Sequence, residues 1–262
     1  MTDHLLCTRN GAVAEIVFNR PEARNAANAE MLIRAREFAQ EIERDPTVKV
    51  LVIRGTGKHF MAGGDVKAFE DVQALPSAAR RTVFEARVQA HAPLFMTLAR
   101  MPQIVVTVLQ GAVAGAGVSL AAFSDISIAA NSAFFLSAQI RLGMSPDGGS
   151  THILPKHIGL ARAKFMALLG DRITAEQAER WGLVSCVVDD DALDDTATAI
   201  IERLSRGPAG AMALTKSLFN RSSGTSLADQ LQAEAEAFAD CAGGDDFLEG
   251  FSAFVEKREP LF

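Results

Sequence analysis

Apolar and polar positions along this chain keep two rhythms. From Asn28 to Arg44 the apolar residues Met31, Leu32, Ala35, Phe38, Ala39 and Ile42 recur three to four apart. That spacing predicts a helix with Asn28 as its N-cap and Asp45-Pro46 as its stop. Val13 to Phe18, Val48 to Ile53 and Ile104 to Leu109 are β-branched apolar runs bounded by turn residues, and they predict strands. Ile126 to Ala130 and Phe134 to Leu136 predict two shorter ones. Ala78 to Arg100 predicts a long helix that Pro93 can kink or split. Further helices are expected to begin at Val118 and to span Leu160 to Leu169. Thr174-Ala175-Glu176-Gln177 has the form of a capping box, opening a helix that ends near Gly182. Leu183 to Val188 is the last expected strand.

After Asp189 the strand rhythm stops. Ala192 to Leu204, Ala209 to Asn220, Ser226 to Ala239 and Asp246 to Glu256 all carry helical stripes. The pattern predicts an α/β core over residues 1–190 and a helical C-terminal region over 191–262. Phe247, Leu248, Phe251, Phe254 and Val255 make the final helix more apolar than a small appendage needs. They call for burial against the core or against another subunit. A faint repeat is also present: Val50 to Val66 and Ile104 to Leu120 both run strand, glycine, short loop, Ala-Gly, then helix, as in a repeated ββα unit.

Composition narrows the classes. The 262 residues are 48% hydrophobic and 22% charged, the profile of a soluble globular protein. A net charge of −6 gives no general attraction to nucleic acid or anionic lipid. Cys7, Cys186 and Cys241 lie far apart, which favours neither a disulfide framework nor a CxxC metal site and fits a reducing cytoplasm. Met1-Thr2-Asp3-His4 does not open a signal peptide. The most apolar stretch, Ile104 to Ala122, is interrupted by Gln110, three glycines and Ser119, so it reads as core and not as a membrane span.

Two glycine-bearing loops carry the chemistry. They are Phe60-Met61-Ala62-Gly63-Gly64-Asp65-Val66 and Gly111-Ala112-Val113-Ala114-Gly115-Ala116-Gly117. A glycine loop between a strand and a helix start leaves backbone N–H groups free for a ligand. Two such loops can aim two N–H groups at one oxygen, the arrangement that stabilises an oxyanion formed from a carbonyl or thioester. Nucleotide readings are poor. Gly57-Lys58 lacks P-loop spacing, and Gly115-x-Gly117-x-x-Leu120 lacks the third glycine of a dinucleotide fingerprint. His59, His152 and His157 have no partners at metal-ligand spacing, so surface or packing roles are expected and no metal site.

With these motifs in place, the chain resembles the enoyl-CoA hydratase/isomerase (crotonase) superfamily over essentially its whole length. The resemblance rests on Asn19-Arg20-Pro21-Glu22-Ala23-Arg24-Asn25-Ala26, on Arg54-Gly55 through Phe60 with Ala62-Gly63-Gly64-Asp65-Val66, and on Gln110-Gly111 through Gly117 with Leu120 and Asp125. Thr174 through Ala178 and Trp181-Gly182-Leu183-Val184 add two more segments in the right order. It implies a crotonase-like spiral of repeated ββα units with a C-terminal helical trimerisation region, assembled as a homotrimer or as a hexamer of two trimers. It implies an acyl-CoA thioester as substrate, with coenzyme A part of that substrate and no separate cofactor. Carried over by position, Gly64 and Ala116 supply the two oxyanion N–H groups. Arg24, Ala26, Ala62, Gly64, Asp65, Val66, Ala116, Ser119 and Gln139 fall at substrate- or CoA-binding positions. Asp65 also reads as structural, accepting N–H bonds in its loop. Arg24, Lys67, Lys257 and Arg258 are candidates to pair with CoA phosphates.

The catalytic carboxylates depart from the hydratase pattern. Where the family's hydratases carry two glutamates, this chain has Ser119 and Gln139, and neither can serve as a carboxylate acid or base. Leu142-Gly143-Met144-Ser145-Pro146-Asp147-Gly148-Gly149-Ser150 offers Asp147 instead. Its segment resembles that of the family's single-carboxylate isomerases, notably the ring-opening isomerases of phenylacetyl-CoA degradation. One carboxylate can take a proton from one carbon of an enolate and return it at another. The expectation is an acyl-CoA isomerase with Asp147 as acid and base. The alternatives are an enoyl-CoA hydratase and a weakly catalytic acyl-CoA-binding paralogue.

Overall fold

The computed structural model describes residues 3–262. Met1 and Thr2, half of the segment read as no export signal, lie outside the described residues. The chain opens with β1 (Leu5–Asn10) and β2 (Val13–Phe18), an antiparallel hairpin, followed by α1 (Ala29–Glu43). Asn28 caps α1 by accepting the Met31 N–H at 2.9 Å. Next come β3 (Val50–Gly55), a short helix α2 (Glu70–Gln73) and the long α3 (Ser77–Arg100). Pro93 does not divide α3, which runs through it unbroken.

The chain continues with β4 (Ile104–Leu109), β5 (Ala112–Ala114) and α4 (Ala116–Ala122), then β6 (Ile126–Ala130), β7 (Phe134–Leu136) and α5 (Ser150–Leu169). Helix α5 begins ten residues before the expected Leu160, and Gly159 interrupts it with φ 78° and ψ 155°. The two-residue β8 (Ile173–Thr174) leads into α6 (Ala175–Trp181), opened by the predicted capping box of Thr174 and Gln177. The last strand, β9 (Cys186–Val188), is shorter than expected. Leu183 and Val184 enter the core from the turn before it. Helices α7 (Leu193–Ser205), α8 (Ala209–Ser222), α9 (Leu227–Ala242) and α10 (Asp245–Glu256) complete the chain.

The strands form two sheets. The larger has the order β1-β2-β3-β4-β6-β9 and is parallel from β2 onward. The smaller has the order β5-β7-β8. The repeat is therefore real: β4-β5-α4 and β6-β7-α5 each give one strand to the large sheet, one to the small sheet, then a helix. The unit from β3 to α3 does the same in reduced form, because Met61 forms an isolated bridge to Val113 of β5.

Parallel strands covered on both faces need apolar residues at every position, and all six residues of β4 are buried. On one face Leu51, Ile53, Val105 and Leu109 pack with Met31, Leu32 and Ala35 of α1 and Leu94 and Leu98 of α3. On the other, Val50, Val52, Val106, Val108 and Ile128 meet Leu193 and Ala197 of α7. The change near residue 190 is thus one of secondary structure, and α7 still closes the core sheet. Helix α10 behaves differently. Its Leu248, Phe251, Phe254 and Val255 stand exposed, Phe254 at 83%, and among its residues only Ala253 is buried. Burial of those side chains against the core, one of the two possibilities read from the sequence, does not occur.

Candidate active site

The two glycine loops lie side by side. Met61 N–H donates to the Ala112 carbonyl at 2.9 Å, and Ala114 N–H donates to the Met61 carbonyl at 2.8 Å. Contact is close enough that a Cβ on Gly115 would fall 3.2 Å from the Gly63 Cα. Gly63 has φ 102° and Gly115 has φ 53° with ψ −117°, conformations that admit glycine readily and other residues poorly. Bare backbone at both positions is what lets the loops touch.

Both loops leave N–H groups over, those at the two positions implied by the resemblance among them. Ala27 brackets Gly64: its N–H donates to the Gly63 carbonyl at 2.8 Å and its carbonyl accepts the Asp65 N–H at 2.9 Å. Gly115 N–H donates to the Leu136 carbonyl, and Val118 N–H reaches back to the Gly115 carbonyl, both at 3.0 Å. The N–H groups of Gly64 and of Ala116, the first residue of α4, have no protein acceptor among the described residues. Unpaired amides at a loop tip and a helix start are available donors for an oxygen that carries charge.

The N-terminal motif braces the first loop. Asn25 is fully buried, accepts the Arg20 N–H at 2.8 Å, and donates through Nδ2 to the carbonyls of Thr56 and His59. Arg24 gives its carbonyl to the Ala62 N–H at 3.0 Å. Arg20 Nη1 joins the Ala26 carbonyl at 3.0 Å to Asp65 Oδ2 at 2.9 Å. The other Asp65 oxygen accepts the Lys67 N–H at 3.1 Å, so this carboxylate is engaged within its loop. Val66 follows with its side chain half exposed. His59 braces the second loop by accepting the Ala112 N–H on Nδ1 at 3.0 Å. Burial, with Arg24 and Lys58 nearby, lowers its pKa and favours the neutral ring that this bond needs. His157 Nε2 lies 2.8 Å from the Ala122 carbonyl. Among the described residues no group of three His, Cys, Asp or Glu could hold a metal ion.

Asp147 is linked to the second loop through Gln139. Its Oδ1 accepts Gln139 Nε2 at 3.0 Å, and Gln139 is within 3.8 Å of a Cβ built on Gly115. Its Oδ2 lies 3.6 Å from Nε2 of His91 on α3. Burial pushes the Asp147 carboxyl up, but the contacts with His91 and Gln139 outweigh it and hold the pKa below the usual carboxylate range. The turn that presents Asp147 depends on two glycines. Gly148 and Gly149 have φ 59° and 72°. A Cβ on Gly148 would lie 2.9 Å from Ser119 Oγ and 3.0 Å from the Phe95 ring, and one on Gly149 would lie 2.9 Å from Phe123. Phe95 and Phe123 pack with ring centroids 5.7 Å apart, as a floor under the turn.

Ser119 is fully buried, with Oγ 3.4 Å from the Asp147 backbone carbonyl. It supports the turn from below. Arg258 is likewise occupied, by Glu249 at 2.6 Å and Glu256 at 2.7 Å. Those two partners raise its pKa and, through Arg258, that of Glu249 falls to about 2. His91 was not singled out from the sequence, because only the packing of α3 brings it to Asp147. An open cleft of about 700 Å³ lies elsewhere, lined by Arg54, Thr56, Lys58, Asp190 and Asp194. None of Gly64, Ala116 or Asp147 borders it, and Arg54 is already paired with Asp194 at 2.7 Å.

The sequence profile described as enoyl-CoA hydratase/isomerase matches residues 8–262. The chain belongs to this family. It is 37% identical over 262 residues to the 1,2-epoxyphenylacetyl-CoA isomerase of Escherichia coli (strain K12), covering 100% of this chain and 99% of the relative. It is 32% identical to the crotonyl-CoA hydratase of Syntrophomonas wolfei, over 99% of this chain and 98% of the relative. The crystal structure of an enoyl-CoA hydratase/isomerase from Marinobacter aquaeolei superposes with a TM-score of 0.89 at 33% identity, covering 98% of both chains. The fold is thus the crotonase fold. Family members bearing isomerase and hydratase names both match along their whole length, so likeness alone gives the family and leaves the reaction to the site.

Proposed function

We propose that this enzyme is an acyl-CoA isomerase that moves a double bond, or opens a ring, through a thioester enolate. The observation that carries this reading is one carboxylate, Asp147, held by Gln139, whose amide lies 3.8 Å from the Cβ position of Gly115, the residue before the unpaired Ala116 amide. In this reading the thioester carbonyl of a 3-enoyl-CoA lies between the two amides. Asp147 takes a proton from C2, and the C–H electron pair moves toward the carbonyl oxygen as a dienolate. The two N–H groups stabilise that charge, each worth about 3 kcal/mol in the transition state. The carboxylic acid then returns the proton at C4, and the double bond is left between C2 and C3. Gln139 cannot give or take a proton, so it holds Oδ1 and leaves Oδ2 for the substrate.

The ring-opening variant draws support from the 1,2-epoxyphenylacetyl-CoA isomerase relative, and the hydratase alternative from the crotonyl-CoA hydratase. Hydration needs a second group to handle water, and Ser119 and Gln139 are not carboxylates. Purified protein given a 3-enoyl-CoA is expected to yield the 2-enoyl-CoA. A 3-hydroxyacyl-CoA formed from a 2-enoyl-CoA would favour the hydratase reading. Tight binding without turnover of either, or of a ring-epoxide thioester, would favour a binding paralogue.

The apolar face of the C-terminal helices supports assembly as a homotrimer or a hexamer. Phe219, Leu227, Phe238, Leu248 and Phe254 on these helices, and Leu261 after them, are all more than 60% exposed, large apolar side chains that partner subunits would cover. A sedimentation experiment tests this directly. Among the described residues no helix is long and apolar enough to cross a membrane. A cytoplasmic setting belongs to the same reading, as do Arg24 and Lys67 as partners of the CoA phosphates.

A further inference from the structure

We infer that His91 is the positioning residue of the catalytic carboxylate: its Nε2 stands over Oδ2 of Asp147, the oxygen that Gln139 leaves free, and fixes the direction in which that oxygen meets the substrate. The inference rests on the reading of Asp147 as the base.

Three observations converge on it. Different elements meet the two carboxylate oxygens: Gln139 hydrogen-bonds Oδ1 at 3.0 Å, and His91 Nε2 faces Oδ2 at 3.6 Å, just beyond hydrogen-bond distance. A carboxylate pinned at one oxygen still swings about that contact. A second group facing the other oxygen limits the swing, and separations of this kind in apo sites commonly tighten into hydrogen bonds when substrate binds. The ring of His91 is itself held, with its side chain only 12% exposed and packed edge-on to Phe95 at 6.2 Å between centroids. Phe95 in turn presses on Gly148, the residue after Asp147. One packed row, His91 and Phe95 on α3, therefore sets both the backbone and the carboxylate of Asp147.

The electrostatics agree in direction. Of the groups facing the carboxylate, His91 from α3 is titratable and Gln139 is neutral. Burial raises the Asp147 pKa, and the His91 contact is the largest of the influences that lower it. Removing that contact should let the carboxyl titrate at higher pH, so the acid limb of the rate profile should move up.

The test uses the full chain with a 3-enoyl-CoA as substrate, and compares His91→Phe, His91→Asn, His91→Gln and Asp147→Asn. Phe keeps the packing and loses the donor. Asn keeps polarity but is too short to reach Oδ2. Gln is the side chain whose amide nitrogen best replaces an imidazole Nε2. Phe and Asn are each expected to lower kcat by about 100-fold, the cost of misplacing a catalytic group by about 1 Å. KM should stay within about twofold, because the carboxylate acts on the transition state and not on ground-state binding. The acid limb of kcat/KM should rise in both, and Gln should restore most of kcat and return the limb toward its original position. An unchanged kcat and acid limb in the Phe and Asn variants would overturn the proposal. So would a raised KM at full kcat, which would make His91 a substrate contact, or a Gln variant no better than Phe. Asp147→Asn separates the levels. If it still turns over, the base reading fails and His91 falls with it; if it is dead while His91→Phe is fully active, His91 alone is wrong.

Discussion

Two aspartates of this chain are placed in opposite ways. Asp125 follows α4, and its Oδ2 accepts Lys216 Nζ at 2.7 Å and the Val105 N–H at 2.8 Å. Lys216, on α8 and nearly fully buried, also donates to the carbonyls of Leu98 and Gln103 at 3.1 and 2.9 Å. Every charge there has a protein partner. Asp147 has its two oxygens shared between a neutral amide and an imidazole, with no fixed cation, and its side chain is 31% exposed. Burial moves Asp125 up and Lys216 down, whereas contacts hold Asp147 down against burial. The first arrangement is a clamp between α8 and the N-terminal end of β4. The second keeps a carboxylate ionised and partly uncommitted, which proton transfer needs.

The largest expected effect breaks the second arrangement. Asp147→Asn should lower kcat by about 10²–10⁴-fold, the usual contribution of a positioned acid–base group. Binding of a non-reactive acyl-CoA and the melting temperature should both stay near those of the unmodified chain, because Asn still accepts from Gln139. A large fall in melting temperature would place Asp147 in the same structural class as Asp125.

The reciprocal change should spare chemistry and harm the fold. Lys216→Met leaves the Asp125 carboxylate buried without its cation. Breaking one side of a buried ion pair costs about 3–5 kcal/mol, which a urea midpoint would read. The double variant Lys216→Met with Asp125→Leu should recover part of that loss. Turnover per folded molecule should hold in both; its loss would mean the clamp reaches the site.

Much of this contrast was legible in the sequence, and what was not has a physical reason. Strands such as Ile104–Leu109 and caps such as Asn28 and Thr174 are local patterns, so spacing reveals them. β5 was hidden because Ala112–Ala114 is three residues long and lies between glycines. The glycine loops marked the two free amides, and the Pro-Asp-Gly-Gly turn marked Asp147. Lys216 and His91 carried no signal. Each becomes meaningful only when its helix packs on a distant turn: α8 against the end of β4, and α3 against the residues around Gly148. The contact of Ser119 was hidden for a related reason: a polar residue early in α4 can point up into a cleft or down onto the Asp147 carbonyl, and spacing does not distinguish the two.

A smaller effect sharpens how Asp147 is presented. Gly148→Ala adds a Cβ at φ 59°, 2.9 Å from Ser119 Oγ and 3.0 Å from the Phe95 ring. Overpacking with backbone strain typically costs about 1–3 kcal/mol. Because the shift falls on the residue beside the carboxylate, kcat should fall as well, while Gly143→Ala, at φ 70° with nothing within 4 Å, should strain the backbone without touching the Phe95 floor. Equal kcat in the two variants would mean that the floor does not position Asp147.

The smallest effect has opposite signs at the two aspartates. Asp147 has a folded pKa below its unfolded value, so its stabilisation is present above about pH 4 and is lost as pH falls through the lower folded pKa. Asp125 has a folded pKa above its unfolded value. Its contribution is full below about pH 4 and is lost as pH rises through the folded pKa. Melting curves between about pH 6 and pH 3 should therefore diverge. The Asp147→Asn variant should lose less stability than the unmodified chain as pH drops below the ordinary carboxylate range. The deficit of Asp125→Asn should instead grow on the way down to that range, since the unmodified chain gains there what the amide cannot. Parallel curves for the two variants would erase the distinction between a carboxylate held ionised and one confined in a clamp.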